Sequence, residues 1–217
     1  MERVNIYVDG FNFYYGLKNM RYTDNEWQKF YWLNYVSFFE QFIGENQILQ
    51  KVIYFAAPPP VDVDVKNRQK SLFKANKLLN PDRFELVMGR FYKKTLKCKI
   101  CNAKYIAYEE KQTDVNIAIR LLRDSLLDNV DTLVLVSADS DLVPPLKSIK
   151  ELYPNKKIRV YFPPSNISVA IEKFMKSNKS TMVWLENNKH RFSYSIMPDT
   201  VTVGEKSVTI PEKWKIL

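Results

Sequence analysis

A chain of 217 residues, 46% hydrophobic, 26% charged and 14% aromatic, has the composition of an ordinary globular domain, which excludes a disordered, collagenous or coiled-coil protein. Thirty-three Lys and Arg against 24 Asp and Glu leave a net charge of +9, which favours a polyanionic partner. No apolar run approaches the roughly 20 residues of a membrane-spanning helix, and the start, MERVNIYVDG, lacks the basic segment and apolar stretch of a leader, so a cytoplasmic protein with no membrane partner is expected.

Short apolar runs bounded by turn residues predict buried strands at 4–8, 52–56, 84–88, 133–136 and 158–161. Helical patterns separate them at 11–20, 32–43, 65–79, 113–127 and 142–152. In the fourth helix Val115, Ala118, Ile119, Leu122 and Leu126 form the apolar stripe, with Asn116, Arg120, Arg123 and Asp124 elsewhere around it. Strand and helix alternating in this way predict an α/β fold: a doubly wound, mostly parallel sheet with helices on both faces. Residues 91–108 have a period nearer two, with CKIC at the centre, and predict a β-hairpin inserted between the third strand and the fourth helix. After Pro163 and Pro164 the pattern weakens into a short helix near 168–175 and a strand near 182–185. The expected organisation is a domain over 1–164 and a C-terminal extension, 165–217, packed on it, since some 50 residues seldom build their own core.

The positive charge is concentrated. Residues 66–104 hold twelve Lys or Arg against two acids, Asp82 and Glu85. They form either a phosphate-facing surface or a solvated, lysine-rich helix and hairpin.

In open parallel sheets functional groups gather at the carboxyl ends of strands, near the point where strand order reverses. Asp9 follows the first strand in YVDGFN, Asp139 and Asp141 follow the fourth in LVSADSD, and Asp114 opens the fourth helix in EEKQTD. Each has an ordinary structural role open to it, as helix cap, first-turn acid or turn residue. If the first and fourth strands are neighbours, however, the four carboxylates converge on one cleft. Carboxylates about 5 Å apart repel by roughly 3 kcal/mol per pair at an effective dielectric near 20, so such a cluster calls for a cation. Mg²⁺ or Mn²⁺ meets that need, since both prefer oxygen ligands and can lower the pKa of a bound water beside a scissile phosphate. Asn12 could orient that water or a phosphate oxygen, or serve as a cap.

The strings YVDGFNFYYGL, EEKQTDVNIAIRLLRDSL and LVSADSDLVPPLKSIK resemble, in order, the three signature blocks of the NYN domain family, PIN-like ribonucleases that include the LabA-like proteins. The resemblance implies a PIN-like fold and a Mg²⁺- or Mn²⁺-dependent site that hydrolyses RNA. It assigns catalytic roles to Asp9, Asn12, Asp114, Asp139 and Asp141, and metal ligation to the four Asp, with Asp9 and Asp139 as direct ligands. Three positions depart from the family pattern. Arg120 stands where many members carry an acid, Ala138 replaces a Gly, and Leu142 replaces a Phe.

Lys111, Arg90, Lys93, Lys94 and Tyr92 are the candidates for holding RNA, expected to be single-stranded, with Tyr92 placed to stack on a base. Tyr14, Tyr15, Phe91, Tyr105 and Tyr108 are aromatics for which core packing is the default reading. Cys98 and Cys101 resemble half of a zinc knuckle; with only His190 besides, they fall short of the four ligands of a structural Zn²⁺. A zinc shared across a homodimer, or a vestigial knuckle, remains open. Two other functions compete with the ribonuclease: a non-catalytic RNA- or protein-binding module, and a phosphatase or nucleotidase for small esters, against which the extended basic surface argues.

Overall fold

The computed structural model describes residues 1–215. The chain runs through β1 (Glu2–Asp9), α1 (Gly10–Thr23), α2 (Tyr35–Glu40), β2 (Gln47–Ala56), α3 (Val63–Leu79) and β3 (Phe84–Met88). A hairpin of β4 (Arg90–Lys97) and β5 (Lys104–Lys111) follows, then α4 (Thr113–Leu126), β6 (Thr132–Val136), α5 (Val143–Leu152), β7 (Lys157–Phe162), α6 (Val169–Ser177) and β8 (Thr181–Trp184). Then come α7 (Lys189–Ser193), β9 (Thr200–Val203), β10 (Lys206–Thr209) and a 3₁₀ turn, Glu212–Trp214.

Six strands form one sheet in the order β3-β2-β1-β6-β7-β8, with every neighbouring pair parallel. The chain winds outward from β1 through β2 to β3, then returns to the centre at β6 and winds the other way. Strand order therefore reverses between β1 and β6, whose register runs from Val4↔Thr132 to Val8↔Val136. Connections leave these two carboxyl ends in opposite directions, and a crevice opens between them. The expected neighbourhood of first and fourth sheet strands is found.

Alternation along β1 sorts its side chains between two cores. Val4, Ile6 and Val8 join α1, α2 and α3 on one face, whereas Tyr7 joins α4, α5 and α6 on the other. Residues from 185 on enlarge the first of these: Leu185, Phe192, Met197, Val201, Val208 and Trp214 are all buried in it.

Two expectations need correction. A single helix over 32–43 is not formed; a 3₁₀ run, Asn25–Tyr31, precedes the short α2. Asn34 caps α2 through the Ser37 amide, and Trp32 and Leu33 are used otherwise. Leu33 bridges to Ile196, the Trp32 carbonyl accepts from the Met197 amide, and the Trp32 indole donates to the Pro198 carbonyl. The second correction concerns α4, where three residues of the predicted apolar stripe face outward, Val115 at 59%, Ile119 at 57% and Leu126 at 67% exposed, while Leu122 packs against the core. The inner face carries Ile117 and Leu121 together with Asp124 and Ser125. A polar network holds it there. Tyr7 and Asn5 of β1 donate to Asp124, and Arg120 bridges Asp124 to Glu85 of β3.

Candidate active site

Asp9 ends β1 and caps α1, and the following residue must be glycine. A Cβ on Gly10 would lie 2.5 Å from the Phe55 carbonyl oxygen and 2.3 Å from the Tyr54 ring. Only the bare backbone lets the chain turn into α1 against β2, which aims Asp9 into the crevice. Its carboxylate is 2% exposed and accepts three hydrogen bonds, from the Asn12 amide (3.0 Å), the Asn12 side chain (2.6 Å) and the Ser137 hydroxyl (2.8 Å). Asn12 is thus engaged with Asp9 itself. Burial pushes the Asp9 carboxyl above its ordinary range; the three donors oppose this and Asp139 adds to it.

Ser137, fully buried after β6, joins the two strand ends. It donates to Asp9 and accepts from the Asp139 amide at 3.0 Å, while Asp139 accepts from the Asp141 amide at 2.9 Å. The cap role considered for Asp139 is therefore real, and Asp9, considered as a turn residue, is a cap as well; both roles coexist with convergence on one cleft.

The third wall comes from the hairpin. Gln112, in the left-handed region at φ +79°, turns β5 sharply into α4. Gly89 allows the crossing, since a Cβ there would stand 2.7 Å from the Thr113 hydroxyl and 2.9 Å from the Lys111 carbonyl oxygen. This corner presents Asp114 and also Glu110, which accepts a hydrogen bond from Thr113. Burial raises the Glu110 carboxyl, with Asp9 adding to the shift. The Asp114 carboxyl is pushed up to about 6 by desolvation, then by Asp139, Asp9, Glu110 and Asp141. Glu110 and Ser137 were not singled out by sequence. Both lie inside quoted motifs, Glu110 in EEKQTD and Ser137 in LVSADSD, but one read as a hairpin residue and the other as a spacer.

Five carboxylates thus face one crevice, and among the described residues no Lys or Arg pairs with any of them. Nor are any three His, Cys, Asp or Glu among those residues arranged closely enough to hold a metal ion as they stand. The donor set itself is all oxygen, the chemistry of a hard divalent cation.

The burial and charge crowding that raise the Asp114 carboxyl predict a measurable stability effect. The Asp114 carboxyl titrates near 6 in the fold against 3.8 ordinarily, so the native state binds the extra proton between those values. Stability from this group is present at the acid side of that window and is lost as pH rises through about 6. Asp114→Asn is expected to raise the melting temperature of the EDTA-treated protein at pH 7, corresponding to about 1 kcal/mol after solvent screening. The substitution should also flatten the gain that wild type shows between pH 7 and pH 5. Melting curves at the two pH values check both.

The basic hairpin divides its candidates between two faces. Register pairs Arg90 with Lys111, Tyr92 with Glu109 and Lys94 with Ala107, which places Arg90, Tyr92, Lys94 and Lys111 on one side. Lys94 and Lys111 both pair with Glu109. Phe91 opposes Glu110 and Lys93 opposes Tyr108, so Lys93 belongs to the other face. At the hairpin tip Cys98 and Cys101 are free thiols, and backbone amides of Cys101 and Ile100 lower the Cys98 thiol pKa. Gly10 and Glu110 also line a cavity of about 400 Å³.

A parallel doubly wound sheet with an acidic crevice at its reversal point defines a PIN-like α/β protein. The chain belongs to the NYN domain family, whose model matches residues 3–175. It is 29% identical over 181 residues to 6-hydroxy-3-succinoylpyridine 3-monooxygenase HspA of Pseudomonas putida (strain DSM 28022 / S16), a match that covers 68% of this chain and 55% of that protein. The chain therefore spans about half the length of that curated relative. The crystal structure of a protein of unknown function from Vibrio parahaemolyticus RIMD 2210633 shares the fold with a TM-score of 0.51 and 22% identity, over 84% of this chain and 91% of that one. Among the described residues no helix is long and apolar enough to cross a membrane.

Proposed function

We propose that the chain is a metal-dependent nuclease that hydrolyses phosphodiester bonds of single-stranded RNA. The observation that carries this reading is the crevice of five carboxylates with no cationic partner among the described residues. Asp9, Asp114, Asp139 and Asp141 would hold Mg²⁺ or Mn²⁺, directly or through water, with Glu110 at the margin. Such an ion, when bound, lowers the pKa of water and steadies charge on the scissile phosphate. Asp9 is preset for this work, because three hydrogen bonds fix its orientation and leave part of its acceptor capacity free. Ser137 keeps Asp9 and Asp139 in mutual register. Lys93, which shares a hairpin face with Glu110, would meet the strand beside the crevice, while Arg90, Tyr92, Lys94 and Lys111 on the opposite face would meet its flanks.

The reading is tested by incubating labelled single-stranded RNA with the protein in Mn²⁺, Mg²⁺ or EDTA. Cleavage with either metal and none in EDTA is expected. Salt-dependent binding with no cleavage under any metal would instead favour the binding module.

The aromatic cavity beside the crevice favours one second reading, oxidation of a heteroaromatic ring as in the name of the Pseudomonas relative. Monooxygenation places one oxygen atom of O₂ on the ring and reduces the other to water with two electrons. Loss of 6-hydroxy-3-succinoylpyridine under air with an external reductant would support it.

A further inference from the structure

We infer that the cavity beside the acidic crevice seats a nucleobase of the RNA strand, with its anionic arm at Arg68. The identity of the occupant rests on the nuclease reading; the inference adds where the strand is gripped.

A volume of about 400 Å³ stands at the lower end of the range for small-ligand sites, roughly 300–1,000 Å³, and suits one nucleotide. Tyr14 and Tyr15 of α1, Phe91 and Tyr108 of the hairpin, and Trp214 from the C-terminal segment line it. Aromatic faces stack on any base, because every base has a π-face. Arg68 of α3 is the cation in this lining, and among the described residues it has neither an ion pair nor a hydrogen bond. A guanidinium left free beside apolar rings matches a planar ring that carries phosphate, which it can grip by two parallel bonds.

The cavity borders the crevice. Gly10 and Glu110 line it, Gly10 directly follows Asp9, and Glu110 feels the Asp9 charge. A base seated here therefore belongs to a nucleotide close to the bond at the carboxylates. The hairpin completes the wall, since Phe91, Lys93, Tyr108 and Glu110 share its inner face. Phosphate attraction from Lys93 and ring stacking thus come from one strand pair.

Binding is read apart from cleavage by titrating the whole protein in EDTA with UMP, AMP, ribose 5-phosphate and 6-hydroxy-3-succinoylpyridine, following tryptophan fluorescence and competition with an RNA oligomer. Both nucleotides should bind and displace RNA, ribose 5-phosphate should bind at least about tenfold more weakly, and Tyr108→Ala and Arg68→Gln should each cost about tenfold in UMP affinity. Absence of nucleotide binding, sugar phosphate binding as well as UMP, or unchanged affinity in both variants overturns the inference. The comparison of UMP with ribose 5-phosphate needs no variant to fold. Tighter binding of the pyridine than of either nucleotide also overturns it and gives the cavity to a small heteroaromatic acid. Nucleotide binding without cleavage under any metal keeps the base site and removes the nuclease reading; cleavage with indifferent variants does the reverse.

Discussion

Asp139→Asn is expected to reduce metal-dependent RNA cleavage by roughly 10²-fold or more while RNA binding persists. The substitution is close to isosteric and spares the local fold. Asp139 accepts the Asp141 amide through one oxygen, an Asn side chain can do the same, and Asn is as good a helix-start cap as Asp. What disappears is one negative charge and one anionic ligand oxygen in the crevice. Asp9→Asn should be as damaging to cleavage but less clean. Three donors converge on the Asp9 carboxylate, and an Asn there would turn its own NH₂ toward one of them. A buried mismatched donor costs about 1–3 kcal/mol, so Asp9→Asn should lower the melting temperature as well as activity. Cleavage, RNA affinity and melting temperature measured on both variants separate the chemical effect from the structural one. If Asp139→Asn cut RNA at the wild-type rate, the carboxylate mechanism would be wrong.

The acids were legible because chemistry and position coincided: each follows a strand or opens a helix, where an α/β sheet exposes its working end. Their convergence needed β1 beside β6, which no single run of residues states but which the joint presence of three motifs implies. Legibility failed where polar groups face inward. The α4 periodicity counts Val115 and Ile119 as core, yet Asp124 and Arg120 are turned toward the sheet, because Tyr7 and Asn5 in the central strand require partners that apolar side chains cannot supply. The aromatic wall of the cavity was not read for a related reason. Tyr92 attracted attention by its lysine neighbours, whereas strand pairing places Phe91 and Tyr108 on the cavity side and Tyr92 on the opposite one. A pleat alternates faces, and adjacency in sequence then separates rather than joins. The C-terminal pieces were unreadable because α7, β9 and β10 are too short to show a period, and they are held by long-range contacts such as Leu33 with Ile196.

Arg120 is where the departure from the family pattern meets this polar interior, and its replacement carries the largest expected stability loss. Its side chain is 16% exposed and that of Asp124 6%, with Arg120 Nε 2.9 Å from Asp124 and Nη1 2.5 Å from Glu85. Hydrogen bonding to Arg120 leads the causes that hold the Glu85 carboxyl below its usual range. Arg120→Leu leaves Asp124 buried without a countercharge, facing only the neutral Tyr7 and Asn5, and should destabilise the fold by about 3 kcal/mol. Arg120→Glu, which restores an acid, should be worse, since it sets three carboxylates together in the interior. Adding Asp124→Asn to Arg120→Leu should recover part of the loss: the buried charge is gone and the amide can still accept from Tyr7. Denaturant midpoints of the three variants test this order. Position 120 lies six residues, about 240° of rotation net of full turns, from Asp114 along α4, so the folded fraction of Arg120→Leu should keep its metal-dependent cleavage within a few-fold. Loss of cleavage with unchanged stability would move Arg120 from the scaffold to the reaction, and would mean that the acid missing from this position matters to catalysis.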